Sequence, residues 1–145
     1  MILYADASML VKRYLTEAGS DRVAALLVPP TLAGTALITR AEIAAALSKA
    51  TRVGALTRNQ AAQSLHEFRA HWPHLLRLRL SEAVVARADE LAWEHGLRGY
   101  DAVHLAVALM WQANLDEPLT FATFDYQLWQ AAQAQGLSVW PEALP

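Results

Sequence analysis

Five short strand-like runs, at residues 2–5, 35–38, 76–80 (where Leu and Arg alternate), 119–123 and 137–140, are interleaved with longer stretches of helical pattern, and this alternation limits the fold more than any other feature of the chain. Each run has the length of a buried strand. The stretches between them carry helix punctuation. Ser8 can cap a helix over 8–17 that Gly19 stops, and Ser20 can cap a second that ends before Pro29-Pro30. Thr39-Arg40-Ala41-Glu42 and Thr57-Arg58-Asn59-Gln60 are capping-box patterns, predicting helices over 40–52 and 58–72. Further helices are expected over 82–95, closed by Gly96, over 100–114, and from Asp125 to about residue 135, closed by Gly136. The helix over 100–114 is apolar nearly all round and should be buried on more than one side. Strands alternating with helices predict an α/β fold: a small parallel sheet joined by right-handed crossovers.

That expectation gives four carboxylates a shared address. In such sheets, ligands bind outside the carboxyl ends of the strands. Asp6, Glu42 and Asp125 each follow a strand. Asp101 opens a helix running back antiparallel to the strands, so its first turn lies at the same edge. Four acids there repel one another unless a cation sits between them, and clustered hard oxygen ligands suit Mg²⁺ or Mn²⁺.

Each acid also has an ordinary explanation. Glu42 occupies the third position of a capping box, where glutamate steadies a helix by itself. Asp101 and Asp125 lie in first helical turns, where acids complement the helix dipole. Asp6 reads as a helix-entry or turn aspartate. A carboxylate directly after an apolar strand nonetheless costs stability unless something compensates it. Four independent caps need not fall at one edge of one sheet.

Composition narrows the classes. A chain of 145 residues favours one domain, 1–145, and 54% hydrophobic residues can fill its core. With no cysteine, disulfide frameworks and thiolate zinc sites are excluded. No signal peptide is read at the N-terminus, and the most apolar stretch, 102–111, is too short to span a bilayer, so a cytoplasmic protein is expected. The net charge of −2 argues against a generic nucleic-acid binder. Fourteen acidic side chains less the four at the edge leave ten, against twelve Lys and Arg, ten of them Arg. A weakly basic surround with a metal-filled acidic centre is compatible with a nucleic-acid enzyme.

The stretches YADASMLVKRYLTEAGS (4–20), ITRAEIAAAL (38–47), LRGYDAVHLAVAL (97–109) and LTFATFDYQLWQAAQAQGLSVW (119–140) resemble the PIN-domain family, and most closely its VapC-type toxin ribonucleases. The resemblance implies a three-layer fold with a small parallel sheet flanked by helices. It also implies a Mg²⁺- or Mn²⁺-dependent endoribonuclease of a toxin–antitoxin pair, forming a homodimer and inhibited by a cognate antitoxin. The family's four acids match Asp6, Glu42, Asp101 and Asp125, and its small hydroxyl residues match Ser8 and Thr123. Many relatives carry further acids near the last motif. Here Tyr126 and Gln127 follow Asp125, which weakens the case for a second ion.

Other chemistries and classes have less support. His66, His71 and His74 lack the i, i+4 spacing of a helical metal pair. His104, three residues after Asp101 in an apolar run, reads as a satisfied core histidine. No G-x-S-x-G, P-loop or G-x-G-x-x-G occurs. Arg77 and Arg79 read as exposed edge residues or as contacts to an RNA backbone. Phe68 and Trp72, four apart, read as core. The alternatives are a PIN-fold nuclease of RNA maturation or decay, a DNA nuclease, and a non-catalytic binding module that keeps the acids as caps.

Overall fold

The computed structural model describes residues 1–144, in which five strands form one sheet and seven α-helices pack on its two faces. The strands are β1 (Ile2–Ala5), β2 (Leu32–Ala36), β3 (Leu76–Leu78), β4 (Leu119–Ala122) and β5 (Ser138–Trp140). Their spatial order is β3-β2-β1-β4-β5, and every neighbouring pair is parallel. The helices are α1 (Ala7–Leu10), α2 (Ser20–Leu26), α3 (Thr39–Arg52), α4 (Arg58–His71), α5 (Glu82–His95), α6 (Gly99–Ala113) and α7 (Tyr126–Ala134). The chain builds outward from β1 through β2 to β3. It then crosses back to lay β4 on the other flank of β1. This reversal opens a crevice beyond the carboxyl ends of β1 and β4, where open α/β sheets take ligands.

Alternation along β1 feeds two cores, because successive strand residues face opposite sides. Tyr4 points to one layer, with Leu91 of α5, Leu105 of α6, Phe121 of β4 and Leu128 of α7. Leu3 and Ala5 point to the other, with Met9, Leu10, Ile43, Leu47, Phe68 and Trp72. Fully burying one such large apolar side chain contributes about 1.5–3 kcal/mol. Phe68 and Trp72 are core residues, as their spacing predicts, while Arg77 lies exposed on the edge strand β3.

Several local expectations give way to tertiary contacts. β2 starts three residues early, because its register sets Leu32, Ala33 and Gly34 against Ile2, Leu3 and Tyr4. The helix expected over 8–17 is one turn of α1 followed by a 3-10 turn, Val11–Arg13. Its cap is Asp6, which accepts from the Met9 amide, and Ser8 lies inside that turn. Ser20 caps nothing: Gly19 takes the cap position of α2 at φ 91°, a left-handed conformation suited to glycine. The capping box expected at Thr39 and Glu42 does not form either. Ile38 is the cap residue without a side-chain bond, and the Thr39 hydroxyl meets that of Thr35 at 2.7 Å. The box at Thr57 and Gln60 forms with both bonds in place.

Candidate active site

Asp6 sits at the carboxyl end of β1, 2% exposed, with both carboxylate oxygens fixed. Oδ1 accepts from the Ser8 hydroxyl at 2.8 Å and from the Met9 amide at 3.0 Å. Oδ2 accepts from the Thr123 hydroxyl at 2.6 Å. These two hydroxyls also tie down the chain leaving β4. The Phe124 amide donates to Ser8, and the Asp125 amide donates to Thr123. Burial pushes the Asp6 carboxyl above the usual carboxylate range, against the opposing pull of His104 and its own hydrogen bonds.

Glu42 lies in the first turn of α3, and its Oε1 meets His104 Nε2 of α6 at 2.6 Å. The other imidazole nitrogen, Nδ1, meets the Tyr4 hydroxyl at 2.7 Å. An ionised carboxylate only accepts, so Nε2 carries a proton. Burial disfavours a charged His104. The hydrogen bond to Glu42 and the charges of Asp6, Glu42 and Asp101 outweigh it, and the pKa rises. Nδ1 can take either role toward the Tyr4 hydroxyl, which both donates and accepts. His104 is thus the satisfied core histidine its apolar run predicts, and it also anchors Glu42.

Asp101 and Asp125 meet through Arg98. Arg98 Nε donates to Asp101 Oδ2 at 3.0 Å, and Nη2 to Asp125 Oδ2 at 3.4 Å. Burial pushes the Asp101 carboxyl up, partly offset by Arg98 and reinforced by the charge of Asp125. Asp125 caps α7 by accepting from the Leu128 amide at 2.9 Å, so its helix-cap explanation also holds. Asp6, Ser8 and Thr123 are therefore in direct contact, Asp101 and Asp125 share one guanidinium, and Glu42 is held separately by His104.

The residues suit a hard divalent ion. They offer oxygen donors, Asp6 has already been taken out of water, and a cation, Arg98, already spans two of the acids. Among the described residues no three acids or histidines close into a ready metal cage. Mg²⁺ keeps several waters and takes only one or two carboxylates directly, so an open arrangement fits it. Sequence reasoning missed Arg98. The available signal was a base placed three residues before an acid at a helix N-terminus, where the dipole favours acids.

Fold and site together define a PIN domain: a model of that family matches residues 3–133, and the chain belongs to it. Within the family it is of the VapC type. It is 36% identical over 143 residues to Ribonuclease VapC45 of Mycobacterium tuberculosis, covering 99% of this chain and 97% of that one. The fold matches a toxin-antitoxin complex from Klebsiella pneumoniae with a TM-score of 0.62 and 17% identity, covering 85% of this chain and 86% of that one. It also matches Mycobacterium tuberculosis VapC20, a Sarcin-Ricin loop cleaving toxin, with a TM-score of 0.63 and 16% identity over 100% of both chains. No helix among the described residues is long and apolar enough to cross a membrane.

Proposed function

We propose that this chain, as one PIN domain over residues 1–145, is a Mg²⁺- or Mn²⁺-dependent endoribonuclease, the toxin of a toxin–antitoxin pair acting in the cytoplasm. The observation that carries this reading is Asp6: a buried carboxylate at the carboxyl end of β1, held by three donors, at the sheet edge to which the first turns of α3 and α6 and the cap of α7 also bring Glu42, Asp101 and Asp125. A cost of that kind is retained where a cation offsets it. The relatives named ribonuclease and toxin support the class of reaction.

A divalent ion, when bound, makes its water more acidic and shields phosphate oxygens. Asp6 and Asp101 would hold the ion, with Glu42 and Asp125 binding directly or through water. Ser8 and Thr123 fix the direction of the Asp6 carboxylate, and His104 fixes Glu42. Arg77 and Arg79 line a groove of about 670 Å³ with Leu37, Trp72 and Leu80, which offers two fork-shaped donors to an RNA backbone. A second, apolar groove lined by Ile38, Val85, Ala88, Tyr100 and Val103 gives a homodimer a surface to bury. The solved toxin-antitoxin complex of the same fold supports a cognate antitoxin as partner.

The test incubates the purified chain with total RNA and with single-stranded DNA, with Mn²⁺ or with chelator, beside Asp6→Asn. Metal-dependent cleavage of RNA that Asp6→Asn lacks is the expected result. Chelator-resistant cleavage, or full activity in Asp6→Asn, overturns the proposal. Growth arrest on expression, relieved by the same substitution, separates a toxin from a housekeeping nuclease.

A further inference from the structure

Arg98 has no place in the roles above, yet it touches two of the four acids. Its Nε lies 3.0 Å from Asp101 and its Nη2 lies 3.4 Å from Asp125. It stands at the cap position of α6, with no side-chain capping bond. That end of a helix is electropositive and disfavours a base. The guanidinium is therefore held by the acids and not by the helix. Its side chain is 76% exposed, and exposed ion pairs exchange readily.

We infer that Arg98 is the resident counterion of the acidic cluster: its guanidinium holds Asp101 and Asp125 until a divalent ion displaces it, and the freed fork then binds the substrate phosphate. The inference rests on the metal-nuclease reading above. A guanidinium hydrogen-bonded to Asp101 Oδ2 and Asp125 Oδ2 occupies the oxygens an incoming ion needs. The ion carries two charges on a small radius against one delocalised charge, so it wins at sufficient concentration. Once released, Arg98 remains tethered one helical turn from Asp101, and its planar set of donors matches a phosphodiester. One side chain thus opposes metal binding and favours substrate binding. Loss of a merely structural residue would weaken both.

The experiment titrates Mn²⁺ calorimetrically into the metal-free full chain, without RNA, for the parent, Arg98→Gln, Arg98→Lys and Asp6→Asn. The KM for a short fluorogenic RNA is then measured at saturating Mn²⁺. Arg98→Gln should bind Mn²⁺ roughly three- to tenfold more tightly, because a unit charge beside the ion is gone. Its KM should rise about tenfold, the loss of one charge-assisted phosphate contact. Arg98→Lys, which keeps the charge and loses the fork, should bind Mn²⁺ close to the parent and still show a raised KM. Unchanged or weaker Mn²⁺ binding in Arg98→Gln overturns the counterion role, and an unchanged KM overturns the phosphate role. A parent that binds no Mn²⁺ defeats the metal-nuclease reading and this inference together. A parent that binds, beside an Arg98→Gln chain that binds no better, defeats the inference alone.

Discussion

His104 and Glu42 lie 62 residues apart in the chain and meet at 2.6 Å. The contact joins the core to the crevice, since the far side of the same imidazole rests on the buried Tyr4 hydroxyl. His104→Leu removes a partner from each. Leaving a buried polar group unsatisfied costs about 1–3 kcal/mol, so urea unfolding of this variant should show a loss of that size. Cleavage should fall further than stability explains, because Glu42 is no longer aimed. Parent-like cleavage in a folded His104→Leu chain would show that Glu42 needs no anchor.

Asp6→Asn should melt higher than the parent in the absence of metal. The folded chain pays to bury an ionised carboxylate that asparagine replaces with a neutral group of the same shape. The hydrogen-bond knot survives the change. Ser8 and Met9 keep an acceptor oxygen, and Thr123 can turn its proton to Ser8, whose oxygen is 3.2 Å away. Differential scanning calorimetry of both proteins in chelator decides the matter. A lower melting temperature in Asp6→Asn would mean that the carboxylate supports the fold by itself.

Tyr14 sets an alkaline limit on stability. Burial pushes its phenol up to about 12, with Arg13 opposing and Glu67 reinforcing. The unfolded chain releases this proton near the ordinary value of about 10. Between those values the folded state binds more protons, so stability is fully present below about pH 10 and is lost as pH rises towards 12. Tyr14→Phe should lose about 1 kcal/mol at neutral pH with the bond to His71, yet decline less steeply in alkali. Parallel alkaline melting curves for the two proteins would refute this.

Gly34→Ala tests the seat of α6 on the sheet. A Cβ there would come 2.7 Å from the Trp111 ring, which is itself buried and cannot swing aside cheaply. Overpacking of this kind costs about 1–3 kcal/mol. Chemical denaturation should register that loss while leaving the acids' geometry largely in place.

Arg77→Ala with Arg79→Ala should weaken RNA binding without changing the cleavage pattern. Each phosphate contact on a single strand contributes about 0.7 to the slope of log affinity against log salt. The double variant should therefore show a slope shallower by about 1.4 if both arginines touch the backbone. An unchanged slope would assign the groove they line to something other than RNA.

Two identical local patterns show how far the sequence could be read. Thr57 with Gln60 and Thr39 with Glu42 carry the same capping-box signature, and only the first becomes a box. The first is exposed and answers to local chemistry alone. The second is buried beside Thr35, whose hydroxyl claims Thr39 and in turn donates to the Ala5 carbonyl. Glu42 is then free for His104. The parallel α/β arrangement, the edge shared by the acids, and the roles of Phe68 and Trp72 were legible because they follow from periodicity and element order. The start of β2 was not, since pairing with β1 decides it, and neither was Arg98, whose partners come together only in the folded chain.

The central place of β1 has a consequence for biosynthesis. Asp6 receives its shortest hydrogen bond from Thr123, 117 residues later, and the neighbour of β1 on that side is β4. A ribosome therefore releases Asp6 long before the strand that completes its pocket. Contacts so distant in sequence form late and slowly. The full set of hydrogen bonds around Asp6 is therefore completed only after β4 has been synthesised.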